Sequence, residues 1–179
     1  MTAFQSLPRL WLLSDERNDQ VLAARLASFQ EPAGFVYRHY HLPPEARLAR
    51  FNALSAIARS AGHLVILADS TLTAREWGAD GVYGSPLSVY PTRADQLTIA
   101  TAHDMREIAQ ANRINADAVM LSPVFPTRSH PGGKVLGPAR FRVLARFAQM
   151  PVIALGGMNA DNARQLNRGR WAAIDGLSG

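Results

Sequence analysis

The residues from Ser122 to Gly137 concentrate groups suited to binding rather than to filling a core. Thr127, Arg128, Ser129, His130 and Lys134 stand there among three prolines and three glycines. Proline and glycine set the backbone angles of such a loop, and its polar side chains have no apolar partners nearby in sequence. A loop of this length either serves a ligand or lies as a solvated connector. Other residues of chemical use occur singly. His103 follows an apolar run, and an imidazole titrating near 6.5 can take or give a proton at neutral pH. Asp69 ends another run, where a carboxylate can hold Mg²⁺ or a substrate amine, or cap the helix that starts near Ser70. Gly156 and Gly157 precede Asn159, Asp161 and Asn162, which can cap a helix, and Gly176 to Gly179 close the chain. Both stretches bare backbone amides that suit a phosphate, which marks Gly156, Gly157, Gly176 and Ser178 as candidate phosphate-binding residues.

What the chain lacks narrows the chemistry. It has no cysteine, so disulfides, thiolate nucleophiles and most structural zinc sites are excluded. Lys134 is the only lysine, which confines Schiff-base chemistry to one loop position. His39, His41, His63 and His130 lack the spacing of a zinc site. A net charge of +5 favours anionic partners, phosphate esters foremost. The arginines are scattered and form no basic run interleaved with aromatics, so nucleic acid is not an expected partner. No apolar run approaches the roughly 20 residues of a membrane span, and the N-terminus lacks a basic segment followed by an apolar one. The expected setting is cytoplasmic, without membrane association.

The elements that must position these residues alternate. Apolar runs at Leu10 to Ser14, Gly34 to Tyr37, Leu64 to Leu67, Val82-Tyr83, Leu97 to Thr101, Ala118 to Leu121, Pro151 to Leu155 and Ala172 to Ile174 read as strands. Helical spacing fills most gaps, as in Leu22, Leu26 and Phe29, or Leu48, Phe51, Leu54 and Ile57. Eight buried strands alternating with helices predict an α/β fold, a compact (β/α)8 TIM barrel in one domain over residues 1–179. The stretch from Ser85 to Gln96 and the end of the chain leave the fourth and eighth helices short or missing. An open doubly wound sheet is the alternative. In a barrel the ligand site lies at the carboxyl ends of the strands, which selects Asp15, Arg38, Tyr40, Asp69, Tyr83, His103, the Ser122 loop, Gly156-Gly157 and Gly176 to Ser178.

Several stretches together resemble the thiamine phosphate synthase and thiazole tautomerase (TenI-like) family. They are Leu12-Leu13-Ser14-Asp15, Gly78-Ala79-Asp80-Gly81-Val82, Thr101-Ala102-His103, Pro123-Val124-Phe125-Pro126-Thr127 and Pro151 to Met158 with Asn162. The resemblance implies a (β/α)8 barrel, usually dimeric, in the cytoplasmic thiamine pathway. Synthases of the family join a thiazole phosphate to an aminopyrimidine pyrophosphate with Mg²⁺, and pyrophosphate leaves by a dissociative substitution. Tautomerases aromatise a thiazole carboxylate phosphate by proton transfer.

Carried over residue by residue, the resemblance places Thr127, Ser129, Gly156, Gly157 and the backbone from Gly176 to Ser178 around the thiazole and its phosphate. It makes His103 the general acid/base. On the pyrimidine side Arg38 persists, Tyr40 stands for a phosphate-binding lysine, and Asp69 is the one metal-binding carboxylate left. His130 stands for another lysine, while Gly84 to Ser88 hold no acid. The expected substrate-binding residues are therefore Arg38, Tyr40, Asp69, Thr127, Ser129 and His130, with Asp69 as the candidate metal ligand. The reading is a homodimeric enzyme that binds a small-molecule thiazole phosphate and performs tautomerase-type proton transfer without a cofactor. The alternative is a Mg²⁺-dependent synthase with a remodelled metal site, and a second alternative is a non-catalytic phosphate-ligand-binding module.

Overall fold

The computed structural model describes residues 7–128, 131–166 and 169–175. Eight parallel strands close into a barrel in sequence order: β1 (Leu10–Leu13), β2 (Gly34–Tyr37), β3 (Leu64–Leu67), β4 (Gly81–Gly84), β5 (Leu97–Ala102), β6 (Ala118–Leu121), β7 (Val152–Ala154) and β8 (Trp171–Ala173). The last strand sits one residue earlier than its apolar run suggests. Around the barrel lie α1 (Asp19–Ser28), α2 (Pro44–Ser60), α3 (Thr71–Glu76), α4 (Met105–Arg113), α5 (Gly137–Ala145) and α6 (Ala160–Leu166). The expected gap after β4 is real, since residues 85–96 run in turns without a helix. Residues 176–179, after β8, fall outside the described residues.

Alternation of period two divides each strand between two cores. Trp11, Leu13, Val36, Ile66, Tyr83, Leu97, Ile99, Met120 and Ile153 fill the barrel interior. Leu12, Phe35, Tyr37, Val65, Leu67 and Val82 face the first helices, and Val119, Leu121 and Ala154 face the later ones. Because every strand is covered on both faces, the runs read as almost uniformly apolar.

Trp11 shows how register admits a large side chain. Its strand neighbours are Gly34 on β2 and Ala172 on β8. A Cβ on Gly34 would run into the Trp11 ring, so the glycine opens the space that the indole fills. The indole is fully buried, and its Nε1 donates to the Pro8 carbonyl at 2.9 Å. Removing on the order of 200 Å² of such surface from water contributes about 5 kcal/mol.

Caps then fix where the helices begin at the mouth. Ser70 accepts from the Thr73 amide to start α3, Asp104 accepts from the Glu107 amide at 2.9 Å to start α4, and Asn159 accepts from Asp161 and Asn162 ahead of α6.

Candidate active site

A cavity of about 790 Å³ opens at the carboxyl ends of the strands, where the location rule for barrels puts it. Arg38 follows β2, Tyr83 belongs to β4, His103 follows β5, and Ser122, Pro123, Pro126, Thr127 and Arg128 follow β6. Leu155 to Asn159 follow β7, and Ile174 and Asp175 follow β8.

The loop after β6 and the glycines after β7 form one unit. The Phe125 amide donates to the Gly156 carbonyl at 3.0 Å, and the Val124 amide donates to Leu155 at 2.9 Å. Gly156 and Gly157 adopt φ of 96° and 61°, where a side chain is strained. A Cβ on Gly156 would lie 2.6 Å from the Pro123 Cα, and one on Gly157 would strike the Pro126 carbonyl. The glycines therefore let the proline-rich loop lie directly across them. Asn162 fastens the turn by donating from Nδ2 to the Gly157 carbonyl at 2.6 Å.

His103 is 56% exposed at its side chain. Glu107, in the first turn of α4, accepts from its backbone amide at 2.6 Å and meets its Nδ1 at 2.8 Å. The carboxylate fixes the ring and takes Nδ1, which leaves Nε2 as the nitrogen for proton exchange. Tyr83, deep in the barrel, is pushed by burial to a pKa of about 12 and stays a neutral hydroxyl.

Positive charge dominates the cavity. Five of its described lining residues are cationic, namely Arg17, Arg25, Arg38, Arg128 and Lys134, against the one carboxylate of Asp175. Asp15 lies behind Arg17 and Arg38, with contacts of 2.7 and 2.8 Å. Five cations against these two carboxylates leave an excess of three, apart from the His103–Glu107 pair. Burial acts to raise the Asp15 carboxyl, but hydrogen bonds and charge from Arg17, with the charge of Arg38, hold it below the ordinary value.

Arg38 is held from two sides. Its Nε donates to the Ser14 carbonyl at 2.8 Å, and its amide donates to the Ser14 hydroxyl at 2.7 Å. That buried hydroxyl also meets His39 Nδ1 at 2.8 Å, and His39 Nε2 meets Asp19 at 2.6 Å. The Asp19 carboxylate can only accept, so the neutral His39 ring donates from Nε2 to Asp19 and accepts the Ser14 proton at Nδ1. Serine, histidine and aspartate stand in the order of a nucleophilic relay, yet Ser14 is fully buried and works as a brace. Asn18 is a second brace. Its Nδ2 donates to the Leu13 and Ile174 carbonyls at 3.0 and 2.9 Å, tying β1 to the end of β8.

The expected substrate-binding residues do not converge on one cavity. Arg38 and Thr127 line the main one together with His103, Gly156 and Gly157. Tyr40 and Asp69 instead line a separate cavity of about 320 Å³ with Leu42, Pro44, Arg47, Thr73 and Trp77. Ser129, His130, Gly176 and Ser178 lie outside the described residues. Sequence reading missed Asn18, Ser14, His39 and Arg47. Their partners lie far along the chain, and only the closed register brings them together.

The fold and this cationic mouth define a (β/α)8 barrel of the class that works at the carboxyl ends of its strands. Known proteins narrow the class. The family model described as thiamine monophosphate synthase matches residues 12–177. A thiamine-phosphate synthase of Pyrococcus furiosus is 26% identical over 176 residues, covering 95% of this chain and 84% of that protein. One from Azoarcus sp. (strain BH72) is 33% identical over 156 residues, covering 83% and 72%. A solved thiamine phosphate pyrophosphorylase from Pyrococcus furiosus superposes with a TM-score of 0.74 at 22% identity, over 93% of this chain and 85% of that one, which shows the shared fold. This chain belongs to the thiamine monophosphate synthase family.

The Mg²⁺ that the family resemblance implies does not fit the donors present. Asp69 Oδ2 is taken by Arg47 Nη1 at 2.6 Å, and Oδ1 accepts from the Ser70 amide at 2.7 Å. The loop after β4 has no acid between Gly84 and Ser88, and no three His, Asp or Glu side chains among the described residues group to hold a metal. Among those residues no helix is long and apolar enough to cross a membrane.

Proposed function

We propose that this chain catalyses the synthase reaction of its family, joining a phosphorylated thiazole to an aminopyrimidine pyrophosphate. The observation that carries the reading is the cavity of about 790 Å³ with its excess of positive charge. A phosphate monoester brings a charge of about −2, so an excess of three positive charges is more than one phosphorylated substrate needs and leaves charge for a second anion. The names of the relatives support the same reading. It displaces the tautomerase-type reaction as the first expectation from sequence.

In this reading Thr127 and the Gly156–Gly157 turn hold the thiazole phosphate beside the β7 end. Arg38, Arg128 and Lys134 face the pyrophosphate. As the bond between carbon and pyrophosphate oxygen breaks, the electron pair leaves on the pyrophosphate, and the guanidinium and ammonium groups stabilise the charge that develops there. The thiazole nitrogen then supplies the pair for the new carbon–nitrogen bond. The enzyme works in the cytoplasm as a homodimer on these small molecules.

A specific observation keeps a second reading. His103 lines the same cavity with Glu107 on Nδ1, an arrangement fit for proton transfer to a thiazole carboxylate phosphate. One assay separates the two. The purified chain is given both synthase substrates, or the thiazole tautomer alone, as wild type and as His103→Asn. Formation of thiamine phosphate with pyrophosphate release supports the synthase, and its absence under all conditions removes that reading. Aromatisation that falls about 100-fold or more in His103→Asn supports the tautomerase.

A further inference from the structure

Arg47 lines the smaller cavity beside the mouth and is engaged at every nitrogen of its side chain. It projects from α2 to the ends of β2 and β3 and is only 12% exposed at its side chain. Its three nitrogens each have a partner. Nε donates to the Arg38 carbonyl at 2.9 Å, Nη2 to the Ala68 carbonyl at 3.0 Å, and Nη1 to Asp69 at 2.6 Å. Three rings surround the guanidinium, with Trp77, Tyr40 and Tyr37 centroids at 5.4, 5.6 and 5.9 Å. The Tyr37 hydroxyl donates to the Arg47 carbonyl at 2.8 Å, which fixes the backbone from which the side chain reaches.

Such a group is a permanent cation in a fixed place. A planar guanidinium matches a carboxylate and two carbonyls at once, loses little freedom in doing so, and gains from the aromatic faces. A divalent ion reaching Asp69 would compete with this guanidinium for Oδ2 and would sit beside a permanent cation that cannot lose its charge. We infer that Arg47 takes the place of the divalent metal at the end of β3, so that this chain holds its Asp69 neutralised from within and works without a metal bound to its own carboxylates. This rests on the synthase reading for its catalytic half, although the closure of Asp69 stands on the geometry alone. Arg47 is a positioning residue. It fixes the strand ends that carry Arg38 and Asp69, while Arg38, Arg128 and Lys134 are left to meet the leaving group.

The test uses the full-length chain as wild type, Asp69→Asn and Arg47→Gln, with Mn²⁺ alone as the probe and its free concentration read by electron paramagnetic resonance. Wild type and Asp69→Asn are expected to bind Mn²⁺ equally weakly, and folded Arg47→Gln about 10-fold or more tightly, because its Asp69 is released. Wild-type binding that Asp69→Asn weakens about 10-fold or more overturns the inference, as does a folded Arg47→Gln that binds no better than wild type. Should Arg47→Gln not fold, the wild-type and Asp69→Asn pair decides. Pyrophosphate release is then followed in Mg²⁺ and in chelator. Equal rates in wild type are expected, and a rate abolished by chelator overturns metal-free turnover. No release from any protein in either condition removes the synthase reading, while the Mn²⁺ result still judges Arg47.

Discussion

His39 sits in the left-handed region at φ 42° with its ring buried, stacked on Tyr37 at 4.7 Å between centroids. Contacts at both ring nitrogens, from Ser14 and Asp19, hold this non-glycine residue there. Burial lowers its pKa from the ordinary 6.5, more than the hydrogen bond to Asp19 raises it. The folded protein thus binds a proton less readily than the unfolded chain. Stability from this residue is complete above about 6.5 and is lost as pH falls from there through the lower folded value. Denaturant melts between pH 8 and 5 are expected to show that decline. His39→Asn, which tolerates the backbone angle, is expected to flatten it and to cost about 1–3 kcal/mol at neutral pH. A slope unchanged in His39→Asn would assign the decline elsewhere. The residue pattern offered no warning of this role, since Arg38, His39 and Tyr40 look locally like a polar strand end.

At the scale of elements, the loop after β6 and the turn after β7 behave as one piece, because the glycines allow the prolines to lie over them. Gly157→Ala introduces a side chain at φ 61° and against the Pro126 carbonyl. It is expected to lower stability by about 1–3 kcal/mol and to raise the KM for the thiazole phosphate more than it lowers kcat. Thermal melting and initial rates check both, and an unchanged KM would show that the loop's position does not govern that substrate. The strand runs, their order, the location of the mouth and the bare stretch after β4 were all legible in the sequence, since alternation and local apolar runs carry that information. The ties among the elements were not. Asn18 links β1 to β8 and Arg47 links α2 to β3, through pairings that arise only once the register is closed. For the same reason Asp69 read as an available carboxylate, although α2 had already supplied its partner.

For the molecule as a whole, charge is unevenly placed. Of the 19 basic side chains behind the net charge of +5, five line one opening. Such a field draws anionic substrates in and weakens as salt shortens its reach, about 10 Å at 0.1 M. The KM of the phosphorylated substrate is expected to rise several-fold between about 0.05 and 0.5 M NaCl while kcat holds nearly constant. A flat KM would show that these cations contribute little to capture. Barrel closure has its own signature in Trp11, wedged between Gly34 and Ala172 on strands from opposite ends of the sequence. The indole can reach its final surroundings only after the last strand arrives, so its formation is a contact of high sequence separation and belongs to the slow part of folding. With Trp77 and Trp171 replaced by phenylalanine, the emission of this one indole becomes a clock for the closing seam.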